Sequence, residues 1–193
     1  MPSNEPQGGP VRHLLVTGYR AHELGIYDSK HPGIPWIKKA LANRLIPLVE
    51  EGLEWVITPG QYGVDLWAGE VVLELKQQYP HLKLGIITAH AGPEEKWKEE
   101  KQEEYRRVAA GADYYGAVSN RPYEGSWQFR ARDDLLFRKT EGILLFYDDE
   151  AAEGSPKYTK ERAEKLREMR DYALYIIRSE EVQSLADEAQ WDT

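Results

Sequence analysis

The sequence predicts an α/β, Rossmann-like three-layer sandwich with a mostly parallel central sheet, and three observations predict it. Short apolar runs alternate with longer segments of helical periodicity along the chain. Two of those runs end in glycine-bearing turns, Thr17-Gly18-Tyr19-Arg20 and Pro59-Gly60-Gln61-Tyr62-Gly63. The 193 residues include 41% hydrophobic and 30% charged side chains, enough for one core flanked by solvated helix faces. Strands joined through helices in this rhythm run parallel and carry helices on both faces of the sheet.

Leu14–Val16 is the first strand, short and closed by turn residues. After His31-Pro32-Gly33, the spacing of Ile37, Ala40, Leu41, Leu45, Leu48 and Val49 makes one apolar stripe, so a helix ends before Gly52. Trp55–Thr58 is the second strand, and Val64, Trp67, Ala68, Val71, Val72 and Leu75 form the stripe of the helix that follows its glycine turn. Leu82–Ile87 is the third strand, followed by a charged helix around Trp97, Tyr105, Val108 and Ala109. Tyr114–Val118 is the fourth, its tyrosines suiting a half-exposed edge. A helix through Trp127, Ala131 and Leu135 precedes Ile143–Tyr147, whose unbroken apolar character marks a central strand. A loop at Glu153-Gly154-Ser155-Pro156, a charged helix around Ala163 and Leu166, and a sixth strand at Ala173–Ile177 complete the series. Residues 1–10 read as a flexible N-terminal tail, 11–178 as one folded domain and 179–193 as an acidic C-terminal tail.

The absence of cysteine excludes disulfides, a thiolate nucleophile and cysteine-ligated metals. The five histidines lack the spacing of a transition-metal site, so no metal is expected. Ser126 and Ser155 lack the setting of a nucleophile elbow, which disfavours serine hydrolysis. Met1–Pro10 is polar, with no run that could insert in a membrane, and the expected location is cytoplasmic. A formal charge of -8 disfavours nucleic acid as a partner but leaves room for a local cationic site that binds a small anion.

In open parallel sheets ligands bind beyond the carboxyl ends of the strands, which selects the loops at Gly18, Gly60, Thr88 and Asp148. Gly60-Gln61-Tyr62-Gly63-Val64-Asp65 lies between a strand and a helix, where backbone amides and the helix dipole favour an anion. It matches neither the dinucleotide-binding nor the Walker glycine pattern, and the alternative is that both glycines only satisfy a sharp turn. Asp65 either caps the helix or accepts hydrogen bonds from ribose hydroxyls. Arg20 either grips a phosphate or makes a surface ion pair. Arg121 and Glu124, flanking Pro122 and Tyr123, are secondary candidates. Trp36, Trp67, Trp97 and Trp127 fall in or near amphipathic helices and are expected in the core.

Taken together, five segments resemble the YpsA family of bacterial proteins, in the SLOG superfamily of Rossmann-like domains that also contains the LOG phosphoribohydrolases and the DNA-processing protein DprA. They are Thr17-Gly18-Tyr19-Arg20 with Glu23-Leu24-Gly25-Ile26, Glu51-Gly52-Leu53-Glu54-Trp55, Gly60-Gln61 with Gly63-Val64 and Leu66-Trp67-Ala68, Arg121-Pro122-Tyr123-Glu124, and Gly154-Ser155-Pro156-Lys157-Tyr158. The likeness spans nearly all of Val11–Arg178. It implies a nucleotide or nucleotide-derivative ligand, with NAD or ADP-ribose as candidates, and a link to cell division through a protein partner. Carried over position by position, it adds Ser155 and Lys157 to Gly18, Arg20, Gly60, Gln61, Gly63 and Asp65 as ligand-binding residues. LOG enzymes resemble P-G-G-x-G-T-x-x-E. Here Gln61, Val64 and Trp67 replace the second glycine, the threonine and the glutamate, which puts glycosidic hydrolysis in doubt. A non-catalytic ligand-binding regulator, a nucleotide N-glycosidase and, disfavoured by charge, a DprA-like DNA binder are the competing functions, with a homodimer open to each.

Overall fold

β1 (His13–Thr17) is buried from Leu14 onward because it occupies the middle of the sheet, with a neighbour hydrogen-bonded on each side. In the computed structural model, residues 9–149, 154 and 156–192 are described. A short 3₁₀ turn at Ala21–Leu24 follows β1, and the chain then alternates without exception: α1 (Ile34–Glu50), β2 (Trp55–Thr58), α2 (Val64–Gln78), β3 (Lys83–Thr88), α3 (Glu99–Gly111), β4 (Tyr114–Ala117), α4 (Trp127–Lys139), β5 (Gly142–Phe146), α5 (Pro156–Met169), β6 (Ala173–Ile177) and α6 (Ser179–Trp191). The strand order is β4-β3-β2-β1-β5-β6, and every pairing is parallel.

Alternation along the strands divides the core into two layers. Leu14, Val16, Val56, Leu84 and Ile86 pack with Leu41 and Leu45 of α1, Val72 of α2 and Tyr105 of α3. Leu15, Ile57, Ile143 and Leu145 pack instead with Leu136 and Phe137 of α4 and Ala163 of α5. All five residues of β5 are buried, as a central strand requires, whereas Tyr114 and Tyr115 stand exposed on the sheet edge.

Residues 179–193, expected as an acidic tail, contain α6. Its Val182 and Leu185 pack on the first core layer. Arg44 of α1 donates to Glu181 and to the Ile176 carbonyl, both at 2.8 Å, which ties the last helix to the body of the domain. Among the described residues no helix is long and apolar enough to cross a membrane.

The chain builds outward from β1 to β4 and then returns to the other side of β1 to lay down β5. The strand order therefore reverses beside β1, and the loops after β1 and β2, with residues 147–149 after β5, lie at that reversal point, where such sheets hold ligands.

Candidate ligand-binding site

Gly18 and Gly60 follow β1 and β2, which pair directly in parallel, so their loops are neighbours at one end of the sheet. The two loops are bonded together. Ala21 N–H donates to the Tyr62 carbonyl at 3.0 Å, Val64 N–H donates to the Tyr19 carbonyl at 3.1 Å, and Arg20 and Gly63 form an isolated antiparallel bridge. Gly63 has φ 144°, and an added Cβ would lie 2.5 Å from Ala21 N and 2.6 Å from the Tyr19 carbonyl oxygen. Its role is thus close loop packing. Gly60 has φ 76° and sits against Ile86, where a Cβ would approach Cγ2 to 2.8 Å.

Asp65 is 1% exposed and lies beneath this double loop. Thr17 Oγ1 donates to its Oδ1 at 2.6 Å, and the Gln61 N–H donates to its Oδ2 at 3.0 Å. Burial pushes its pKa up to about 6, against the opposing pull of those two hydrogen bonds and of Arg132. Both carboxylate oxygens are engaged in fastening β1 to the β2 loop, and Asp65 lines neither cavity described below. Asp65 therefore fits neither expectation: it accepts from Thr17 and Gln61 rather than from the first amides of α2, where no side chain makes a cap bond, and it does not reach the cavities where a ribose would lie.

Two adjoining cavities open above the loops. The smaller, about 320 Å³, is bounded by the β2 loop, the segment after β3, α3 and α4. The larger, about 660 Å³, extends from Gly18 across α4 to Gly154 and the start of α5. Arg20, Pro59, Gln61, Phe129 and Arg132 line both, so the two form one cleft with a shared threshold. Arg20 is held at that threshold by Glu23, which accepts its backbone N–H at 2.8 Å and lies 3.3 Å from its Nε. Gly60 lines the smaller cavity and Gly18 the larger, while Gly63 lines neither.

Several expectations from sequence land elsewhere. Lys157, in the first turn of α5, lines neither cavity, although Pro156, Tyr158, Thr159 and Arg162 line the larger one. Ser155 lies outside the described residues. Arg121 and Glu124 form an ion pair at 3.6 Å on the surface and line neither cavity. Of the tryptophans, Trp67 is in the core at 1% exposure, Trp97 packs half-buried against the core and also forms a cavity wall, Trp36 is half-buried, and Trp127 is 46% exposed. Trp127 departs from the expected core packing because a segment's helical spacing does not reveal where its helix begins. Trp97 precedes α3, and Trp127 opens α4.

The missed residues come from α4 and from the segment after β3. Arg132 is only 8% exposed. Its Nη2 lies 2.9 Å from Asp133, and its guanidinium stacks 5.1 Å over the Phe129 ring. Gln128 is fully buried and braces the 119–125 segment. Its Oε1 accepts the Glu124 N–H at 2.7 Å, and its Nε2 donates to Ser119 Oγ and to the Pro122 carbonyl, both at 3.1 Å. That brace sets Tyr123 against His90 and Phe129, with ring centres 5.6 Å from each. The only sequence signal for Arg132 is its place one turn after Gln128 on the apolar side of α4, which any core-side arginine would share.

An all-parallel sheet whose strand order reverses beside β1, with a cationic cleft at the carboxyl ends there, defines a Rossmann-like α/β ligand-binding architecture. Within that class, the family model for YpsA, described as the YspA SLOG family, matches residues 14–182, and the chain belongs to this family. The chain is 49% identical to a UPF0398 protein of Brevibacillus brevis over 180 residues, covering 93% of this chain and 95% of the relative. It is 48% identical to one from Lysinibacillus sphaericus over 176 residues, covering 91% and 98%. A Bacillus cereus relative is 44% identical over 182 residues, covering 94% and 98%. Membership in the SLOG superfamily supports a nucleotide-related role.

Proposed function

We propose that this protein binds a nucleotide or nucleotide-derived ligand in the cleft at the carboxyl ends of β1 and β2 and acts as a non-catalytic regulator. One observation carries this reading: in a chain of net charge -8, Arg20 and Arg132 line both of two adjoining cavities together with Gln61 of the β2 loop. Guanidinium groups match phosphate oxygens in bidentate geometry, and a partly enclosed cleft strengthens that attraction. NAD and ADP-ribose fit the reading as candidate ligands. The resemblance to YpsA proteins adds a setting in cell division, where ligand occupancy would pass to a protein partner.

Binding without cleavage is supported by Trp67, which stands where the LOG pattern has its glutamate. It is a fully buried core side chain with no carboxylate to offer a glycosidic bond. Loss of a positioned acid or base costs about 10²–10⁴-fold in rate. Ligands that bind the native protein raise its melting temperature, so a thermal-shift screen of nucleotides finds the ligand and chromatography of the mixture tests turnover. The expected result is a raised melting temperature with ligand recovered intact. Rapid stoichiometric release of free base would overturn the non-catalytic reading, and no shift with any nucleotide would overturn the binding reading.

A further inference from the structure

The two cavities differ in chemistry, and that difference orients the ligand. The larger is lined by carboxylates as well as cations: Glu23 and Asp133 beside Arg20, Arg132 and Arg162. Among the described residues that line the smaller cavity there is no carboxylate; its charges are those of Arg20, Lys101 and Arg132. Tyr62, Trp97, Phe129 and His90 bring rings to a wall otherwise made of small and apolar residues such as Pro59, Ala89 and Pro93, and those rings are held in pairs by edge-on contacts. Tyr62 meets Trp97 edge-on at 5.8 Å, and Trp97 meets the buried Tyr105 at 5.2 Å. On the side of α4, Phe129 meets His90 edge-on at 6.1 Å and carries Arg132 over its face. Lys101 Nζ lies 4.8 Å over the Tyr62 ring, and the Tyr62 hydroxyl donates to Glu104 at 3.0 Å. Burial, followed by the nearby Glu104 charge, raises the Tyr62 pKa, so the phenol keeps its proton.

We propose that the 320 Å³ cavity is the ring site of the cleft: it takes the planar heteroaromatic base of a nucleotide between the Tyr62–Trp97 wall and the Phe129–His90 wall, with the phosphate at the Arg20–Arg132 threshold. The inference rests on the nucleotide reading above and adds an orientation to it. Two pairs of rings, Tyr62 with Trp97 and Phe129 with His90, present apolar surface at little ordering cost, and a heteroaromatic base stacks on such surfaces whatever its edge pattern. A phosphate group has no counterpart to exploit among rings, whereas the threshold guanidiniums supply one. The mixed charges of the larger cavity suit the hydroxyl-rich remainder of a ligand, since carboxylates accept hydrogen bonds from sugar hydroxyls.

The test compares AMP with ribose 5-phosphate by calorimetry on the full chain, because the pair differs by the base alone. Wild-type protein is expected to bind AMP about tenfold or more tightly than ribose 5-phosphate, the size of a stacked base. In Phe129→Leu and Trp97→Leu that preference collapses toward equality while ribose 5-phosphate affinity is kept, and melting curves verify that each variant is folded. Two outcomes overturn the ring site while leaving nucleotide binding standing. One is wild-type protein binding both compounds equally, and the other is both folded variants keeping the full AMP preference. If neither compound binds wild-type protein, and no other nucleotide does, the nucleotide reading falls and the ring site with it.

Discussion

The cleft has two walls built by different means. The wall from the β1 and β2 loops is made of backbone held by backbone: Gly63 lets the two loops touch, Val64 and Ala21 bond across them, and Asp65 fastens them from below. The opposite wall, from α4 and the segment after β3, is made of side chains, with Arg132, Phe129 and His90 turned to the cavity. The glycine-rich wall therefore spends many of its polar groups on its own rigidity. The helical wall supplies Phe129, His90 and Arg132, to which the loop wall adds Arg20 and Tyr62. A motif that looks like a ligand site in sequence can thus be the scaffold on which a less legible site is completed.

The sharpest break between the walls is expected at Gly63. Gly63→Ala forces a Cβ into backbone atoms at 2.5 and 2.6 Å with φ at 144°. Strain and backbone displacement together should destabilise the fold by about 3 kcal/mol or more, read by urea unfolding. Gly52→Ala is the control, since φ 118° is also unfavourable there but nothing lies within 4 Å. It should cost only about 1–2 kcal/mol. Equal losses at the two sites would remove the claim that Gly63 exists for loop contact.

Asp65 comes next. Its folded pKa of about 6 lies above the ordinary 3.8, so the native state holds its proton more tightly than the unfolded chain does. The stabilisation linked to that proton is fully present below about 3.8 and is lost as pH rises through about 6. A shift of about two units corresponds to roughly 3 kcal/mol. Asp65→Asn removes the titration, so wild-type stability should fall relative to the variant by that order between about pH 4 and pH 7. A stability difference that stays constant with pH would contradict the buried tie.

Changes on the helical wall should act on binding more than on folding. Arg132→Ala is expected to weaken AMP binding about tenfold or more, as for loss of a hydrogen bond to a charged group, with a stability loss of about 1 kcal/mol. The smallest effect belongs to Arg121→Ala, because that side chain is 75% exposed and its pair with Glu124 is open to water. Stability should change by less than about 0.5 kcal/mol and affinity should not change. If Arg121→Ala weakened binding as much as Arg132→Ala, the ligand would sit outside this cleft.

The sheet was legible because every strand but the tyrosine-bearing edge strand β4 is an apolar run that stops at a turn, and that pattern survives without knowledge of neighbours. α6 was not legible, since Val182 and Leu185 are sparse among acidic residues and their value comes from the α1 surface they meet. At the site, Gly18, Gly60 and Arg20 were legible from loop position alone. The burial of Asp65 was not, because a carboxylate one residue into a helix looks the same whether its loop folds over it or away. Arg132 and Phe129 were hidden for a related reason. On a helix, the face that lines a cleft differs from the face that meets solvent only through what packs around it.

Amide chemical-shift mapping of isotope-labelled wild-type protein, titrated in turn with AMP and NAD, tests the central claim most directly. Saturable shifts are expected at Gly18, Gly60, Gln61, Ala89 and His90, with Trp55 and Lys83 at the opposite ends of the strands left in place. Absence of shifts with either compound, or shifts centred on Trp55 and Lys83, would contradict that claim.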